Sequence, residues 1–327
     1  VYNKKDYTMT MTFASGLSFL GGFTMTAALP SENTAAWFGG GSSPDTVSTV
    51  QRITFATDTD TASVRGPLSL ARFYLAAASN FTDGWFGGGS PGYFSTVDRI
   101  TYATDTATAS VRGPLSASRY LLAAVGNSDY GWFGGGYKAY ILTSTVDRIT
   151  YATDTATASV RGPLSLAKKS YLSATGNSDY GWFGGGLGPY PTVYSTVDRI
   201  TYATDTATAS VRGPLSLARR FLAAAGNTTD GWFGGGYVEG QGGFSRVDRI
   251  TYATDTATAS VRGPLSLARY DFAAAGNTTD GWFGGGIAPG GGSTVDRITY
   301  ATDTATASVR GPLSSRNSKS AAAGGIQ

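Results

Sequence analysis

Hydrophobic and polar positions alternate along this chain with a period of two, in short runs broken by Gly, Pro, Asn and Asp, and no run carries the period of a helix. The stretch 247–253 (VDRITYA) is the clearest run. As a strand it puts Asp248, Ile250 and Tyr252 on one face and Val247, Arg249 and Thr251 on the other. Three further strands are predicted around it. Residues 221–225 (FLAAA) are small and apolar, 226–231 (GNTTDG) reads as a hairpin turn, and 232–235 begins the next strand. After VDRITYA, the tetrad 254–257 (TDTA) turns the chain and 258–262 forms the last strand, which Gly263-Pro264 ends because proline donates nothing to a ladder.

This four-strand unit is written six times. The tryptophan of its WFGGG tag recurs at Trp37, Trp85, Trp132, Trp182, Trp232 and Trp282, at spacings of 48, 47, 50, 50 and 50 residues. A fixed period of that size marks a repeat architecture, and four short strands per period describe a blade of a β-propeller. The expected fold is therefore all-β, a six-bladed propeller over residues 33–327. The last repeat stops at AAAG without its WFGGG, and the first begins at WFGGG with no RGPLS block before it. Pairing these two ends completes a sixth blade and removes two exposed edges. Residues 1–32 stand outside the repeat and are expected to be an extended arm or attachment segment. The alternation at 7–13 is strand-like, and 16–28 is too polar for a signal segment.

Composition narrows the chemistry. Cysteine and histidine are both absent, which excludes disulfides, thiolate or imidazole metal sites, and every catalytic triad built on His or Cys. The net charge of +3 is too small to predict a nucleic-acid partner. No run of 18 apolar residues predicts a membrane span. Sixteen of the 22 acidic residues belong to the repeat, and of the two glutamates only Glu239 falls in a candidate loop, so the matched acid and nucleophile of a glycosidase are not expected. The sequence predicts neither an enzyme nor a cofactor. The turns holding Asn127 and Asp129, or Asn227 and Asp230, offer one carboxylate each and read as Asx turns rather than calcium sites.

The repeat resembles the kelch-type propellers: Trp232-Phe233-Gly234-Gly235 matches the family's hydrophobic residues and double glycine, Tyr252 its tyrosine, and Arg269 the arginine that opens the next blade. It departs from the pattern at Ala259, Ala109 and Ala209, where the family has tryptophan; here a tryptophan precedes the glycines instead. The wording of the repeat also resembles repeat proteins of marine tailed phages, grouped with tail-fibre and virion proteins. That resemblance implies a structural or host-adhesion role on a virus particle.

The strands are nearly identical between copies, whereas the loops after GGG are not. These loops are 42–47 (SSPDTV), 90–94 (SPGYF), 137–143 (YKAYILT), 187–194 (LGPYPTVY), 237–244 (YVEGQGGF) and 287–292 (IAPGGG). All six join the same two strands and so belong on one face, and their Tyr, Phe, Gly and Pro content suits recognition by rigid aromatics. Candidate contact residues are Tyr93, Phe94, Tyr137, Tyr140, Tyr190, Tyr194, Tyr237 and Phe244. The expected partner is a host-surface glycan or protein, with the chain on a virion or outside a cell. In the rival readings the loops contact other subunits of the particle or identical copies, or tolerate change because nothing depends on them. Arg65, Arg112, Arg161, Arg212, Arg262 and Arg310 form a candidate anion ring, and Arg72, Arg119, Lys168, Arg219, Arg269 and Arg316 a second. The competing role for both is structural pairing with the repeated Asp98, Asp147, Asp198, Asp248 and Asp296.

Overall fold

The computed structural model describes residues 33–42, 44–166, 170–289 and 292–324; the expected arm at 1–32 lies outside them. Six four-stranded antiparallel sheets form the blades of a β-propeller. The second blade runs outward from Ala76–Ser79 through Asp83–Gly87 and Val97–Thr101 to Ser110–Arg112. The pattern repeats down to its register: Trp85 sits opposite Arg99, and Trp132 opposite Arg148. The first blade is closed by the two ends of the chain, as Ala321–Ala323 pairs with Ala35–Gly39 through Trp37↔Ala323, Phe38↔Ala322 and Gly39↔Ala321.

Three strands are shorter than the alternation implies. The third strand of the fifth blade stops at Thr251, because Tyr252–Thr254 coils into a single 3-10 turn, and the outermost strand begins only at Ser260. The innermost strand begins at Ala223 rather than Phe221, whose φ of 61° takes it out of any ladder.

The blades are joined by one motif, repeated at every junction. Each tag tryptophan lies flat against an aromatic ring of the next blade: Trp85 on Tyr151 and Trp182 on Tyr252, with centroids 3.7 and 3.8 Å apart. At the closing junction Trp282 stacks on Phe55. The indole N–H of Trp85 donates to Asp154 at 2.9 Å, and Arg99 and Arg112 reach the same carboxylate at 3.1 and 3.4 Å. The TDT aspartate is thus a hub for three side chains of the preceding blade. Burying each indole contributes roughly 1.5–3 kcal/mol, so this ring of contacts is the main cohesive element. The first glycine of each tag permits the approach, since a Cβ on Gly87 would stand 2.8 Å from Phe133 of the next blade.

Inside four of the blades, among the described residues, lies a second ion pair, buried on both sides. Arg72 donates to Asp98 at 2.8 Å and to the carbonyls of Phe86, Gly88 and Thr96. Burial lowers the affinity of this guanidinium for its proton, while Asp98 acts to restore it. The first blade lacks the pair. Gln51 replaces the aspartate, and the position of Arg72 falls on Asn317, whose amide donates to the Gly40 carbonyl at 2.8 Å. The closing blade therefore carries a neutral pair where its neighbours bury charge.

Candidate functional site

In each blade the innermost strand leads away from the connection that enters it, and the second strand returns. The loop after GGG and the connection from the previous blade therefore emerge on the same side. Hydrogen-bonded bridges join them there, Phe73 with Ser90, Tyr120 with Tyr137, Ser170 with Leu187, Arg220 with Tyr237, Tyr270 with Ile287 and Ser42 with Ser318. All six variable loops surround the axis on this one face.

The eight candidate aromatics have different situations. Tyr140 and Tyr190 are the most exposed, at 78% and 76%. Tyr93 is edge-on to both Tyr120 and Tyr140 at 5.2 Å. Tyr137 leans on Tyr120 and Tyr237 on Tyr270. Phe94, Tyr194 and Phe244 share one structural position: their N–H groups close the loop onto Gly89, Gly186 and Gly236, and their carbonyls accept from Arg119, Arg219 and Arg269. They hold the loops rather than present them, which explains why their side chains are half-buried.

Both arginine rings are engaged in the frame. Arg65, Arg112, Arg161, Arg212, Arg262 and Arg310 lie 3.4–3.6 Å from the TDT aspartates of the next blade. Of the second ring, Arg72, Arg119, Arg219 and Arg269 are paired with Asp98, Asp147, Asp248 and Asp296. Lys168 is outside the described residues. Arg316 is not a member: counting back from the residue before each inner strand places Asn317 there instead, and Arg316 is exposed.

At the axis is a set of residues that the sequence reading did not single out. Tyr74, Leu121, Tyr171, Phe221, Asp271 and Lys319 occupy equivalent positions, each with φ between 55° and 61°. Their peptide groups form a closed ring, each N–H donating to the carbonyl of the preceding member at 2.7–3.1 Å, with Tyr74 completing the circle on Lys319. A left-handed residue other than glycine costs about 1–2 kcal/mol. This chain uses glycine freely at other such sites, as at Gly40 and Gly41. Six side chains of five different kinds are nevertheless kept here, and their dissimilarity just before the alanine-rich strands was the available signal.

The axial side chains divide by chemistry. Tyr74, Tyr171 and Phe221 converge over the channel, with Tyr171 4.2 Å from Phe221 and 6.1 Å from Tyr74. The same three residues line a chamber of ≈ 70 Å³ together with Asp271, Lys319 and Ser320. Tyr74 donates to Asp271 at 3.4 Å, and burial raises the carboxyl to about 7 against the opposing pull of Lys319. Two cations lie over aromatic faces: the Lys319 ammonium 5.2 Å from the Tyr74 ring, and the Arg220 guanidinium 5.3 Å from those of Phe221 and Tyr237. Arg220 also donates to Glu239 at 2.7 Å.

On the opposite face, Asn127 accepts from the N–H groups of Asp129 and Tyr130 at 3.0 Å, an Asx turn. Among the described residues no group of three or more His, Cys, Asp or Glu gathers as a metal site, and no helix is long and apolar enough to cross a membrane. No family model matches this chain, and no curated protein matches it.

Proposed function

We propose that this propeller is a non-enzymatic attachment module, displayed on a virus particle or outside a cell, that engages a host-surface glycan or protein through the loops of one face. The observation that carries the reading is the contrast between a constant frame and six dissimilar loops gathered around one axial mouth, with Tyr140 and Tyr190 held out into solvent. Such rigid aromatics supply contact area at low entropic cost. The kelch-like tags, and the likeness of the repeat to those of marine tailed phages, support a tail-fibre or receptor-binding component.

Attachment of the protein to host cells, measured with a fluorescent conjugate, is expected to fall at least tenfold in Tyr140→Ala/Tyr190→Ala. Both side chains are exposed, so the fold is expected to be unaffected. Unchanged attachment by the double variant would sink the reading.

A second reading, lateral assembly with other subunits, is favoured by a different feature. Val64, Val111, Val160, Val211, Val261 and Val309 are 53–60% exposed in the middle of the outermost strands. Those strands are three residues long, however, and short edges are poor templates for pairing.

A further inference from the structure

The axial mouth has a character of its own. Around the three converging rings, Tyr120, Tyr137, Tyr237 and Tyr270 extend an unbroken aromatic surface, with neighbouring centroids 4.2–6.5 Å apart. Its charged groups are balanced. Arg220 faces Glu239, and Lys319 shares the axial ring with Asp271. Above the raised pKa of Asp271, about 7, the dish carries two cations and two carboxylates, which disfavours a strongly charged ligand of either sign. Each charged group retains unused donors or acceptors, since one guanidinium bears five N–H groups and one ammonium three.

We propose that this axial dish binds the uncharged pyranose ring of a glycan. The sugar's C–H face would lie on the Tyr171–Phe221 surface, and its hydroxyls would meet Arg220, Glu239 and Lys319. The proposal rests on the attachment reading and gives that face its ligand class. Aromatic rings offer a flat apolar platform with a negative face, which suits the weakly positive C–H groups of a sugar. Hydrogen bonds from charged side chains to hydroxyls are stronger than neutral ones. The ligand would lie on the outer faces of the rings, because the ≈ 70 Å³ chamber is too small for a pyranose and suits water. Ser320 supports a wet floor. Its hydroxyl is buried, 8% exposed, without a hydrogen-bond partner, and the residue borders the chamber.

A simple plug for the channel is the competing role. A plug needs apolar bulk alone, as Leu121 supplies, and neither Asp271 nor Lys319 contributes to that. The ring itself is bonded through its peptides, so closing it calls for no particular side chain.

The test uses saturation-transfer NMR with the methyl pyranosides of glucose, galactose, mannose and N-acetylglucosamine, and with methyl glucuronide and glucosamine as charged counterparts. Transfer to the C–H protons of at least one neutral pyranoside is expected, with at least fivefold weaker binding of the charged sugars. Binding should drop at least tenfold in Tyr171→Leu and in Arg220→Gln/Glu239→Gln, whose folds are checked by near-ultraviolet circular dichroism, and stay unchanged in Val111→Ala, on an outermost strand away from this face. Equal or tighter binding of a charged sugar overturns the neutral class. Binding that survives both dish variants overturns the location. Absence of transfer from every pyranoside overturns the inference alone if Tyr140→Ala/Tyr190→Ala still abolishes attachment, and the attachment reading falls with it only if that variant attaches normally.

Discussion

Asp271 is a carboxyl in an apolar wall, 7% exposed, held near neutrality by burial. Tyr74, Tyr171, Tyr270, Arg220 and Lys319 are the titratable and charged groups around it. Its folded-state pKa of about 7 lies above the value of ~3.9 expected in the unfolded chain. Between those values the folded protein holds a proton that the unfolded chain has released, so this group's contribution to stability is full below pH ~3.9 and is lost as pH rises through about 7. Urea unfolding at pH 4.5 and 8 is expected to show Asp271→Asn gaining on the parent at pH 8, by on the order of a few kcal/mol at most, and flattening the pH dependence. A parallel slope in both proteins would show that Asp271 titrates as an ordinary surface carboxyl.

Within a blade, the buried Arg–Asp pair raises the question of whether charge is needed there. The molecule contains its own control, because Gln51 and Asn317 hold the same positions without charge. Removing one partner of a buried pair costs about 3–5 kcal/mol, since the other charge is stranded, while neutral replacement of both is often tolerated. In the third blade, Arg119→Asn is therefore expected to cost about 3–5 kcal/mol, and Arg119→Asn/Asp147→Gln to recover most of it, read from chemical denaturation. Equal losses in the single and double variants would mean that the pair's other hydrogen bonds, such as Arg119 to the Thr145 carbonyl at 2.7 Å, dominate. The neutral pair is incompletely satisfied: the Gln51 amide nitrogen and the Asn317 amide oxygen are buried without partners.

For the whole molecule, the recurrence of Trp37 to Trp282 made the number of blades and the joining of the ends legible in the sequence, because a unit that cannot bury its faces alone must stack on copies of itself. The shared face of the loops followed from strand order. The axial ring did not follow, because alternation assigns Phe221 to a strand, and only its left-handed backbone turns it toward the axis. Nor could spacing reveal that Phe94, Tyr194 and Phe244 close their loops while Tyr140 and Tyr190 project. The TDT aspartates looked like turn formers, and their role as hubs between blades depends on neighbours about 70 residues away, such as Trp132 beside Asp205. The joined ends carry a prediction of their own. A chain ending at Asn317 loses the Ala321–Ala323 strand and leaves Trp37–Gly39 with a bare edge. It is expected to melt several degrees lower, at roughly 2–4 °C per kcal/mol lost, and to associate with concentration in sedimentation experiments. An unaltered monomeric protein would show that the remaining junctions suffice.

The circle of peptide bonds at the axis separates upkeep from meaning. Since each connection grips its neighbour through a main-chain hydrogen bond that any residue but proline can make, the letters written at positions 74, 121, 171, 221, 271 and 319 can be rewritten with that circle kept. A lineage carrying this architecture could change its target by point substitution in six codons, and a designer could randomise the same six and keep a folded library.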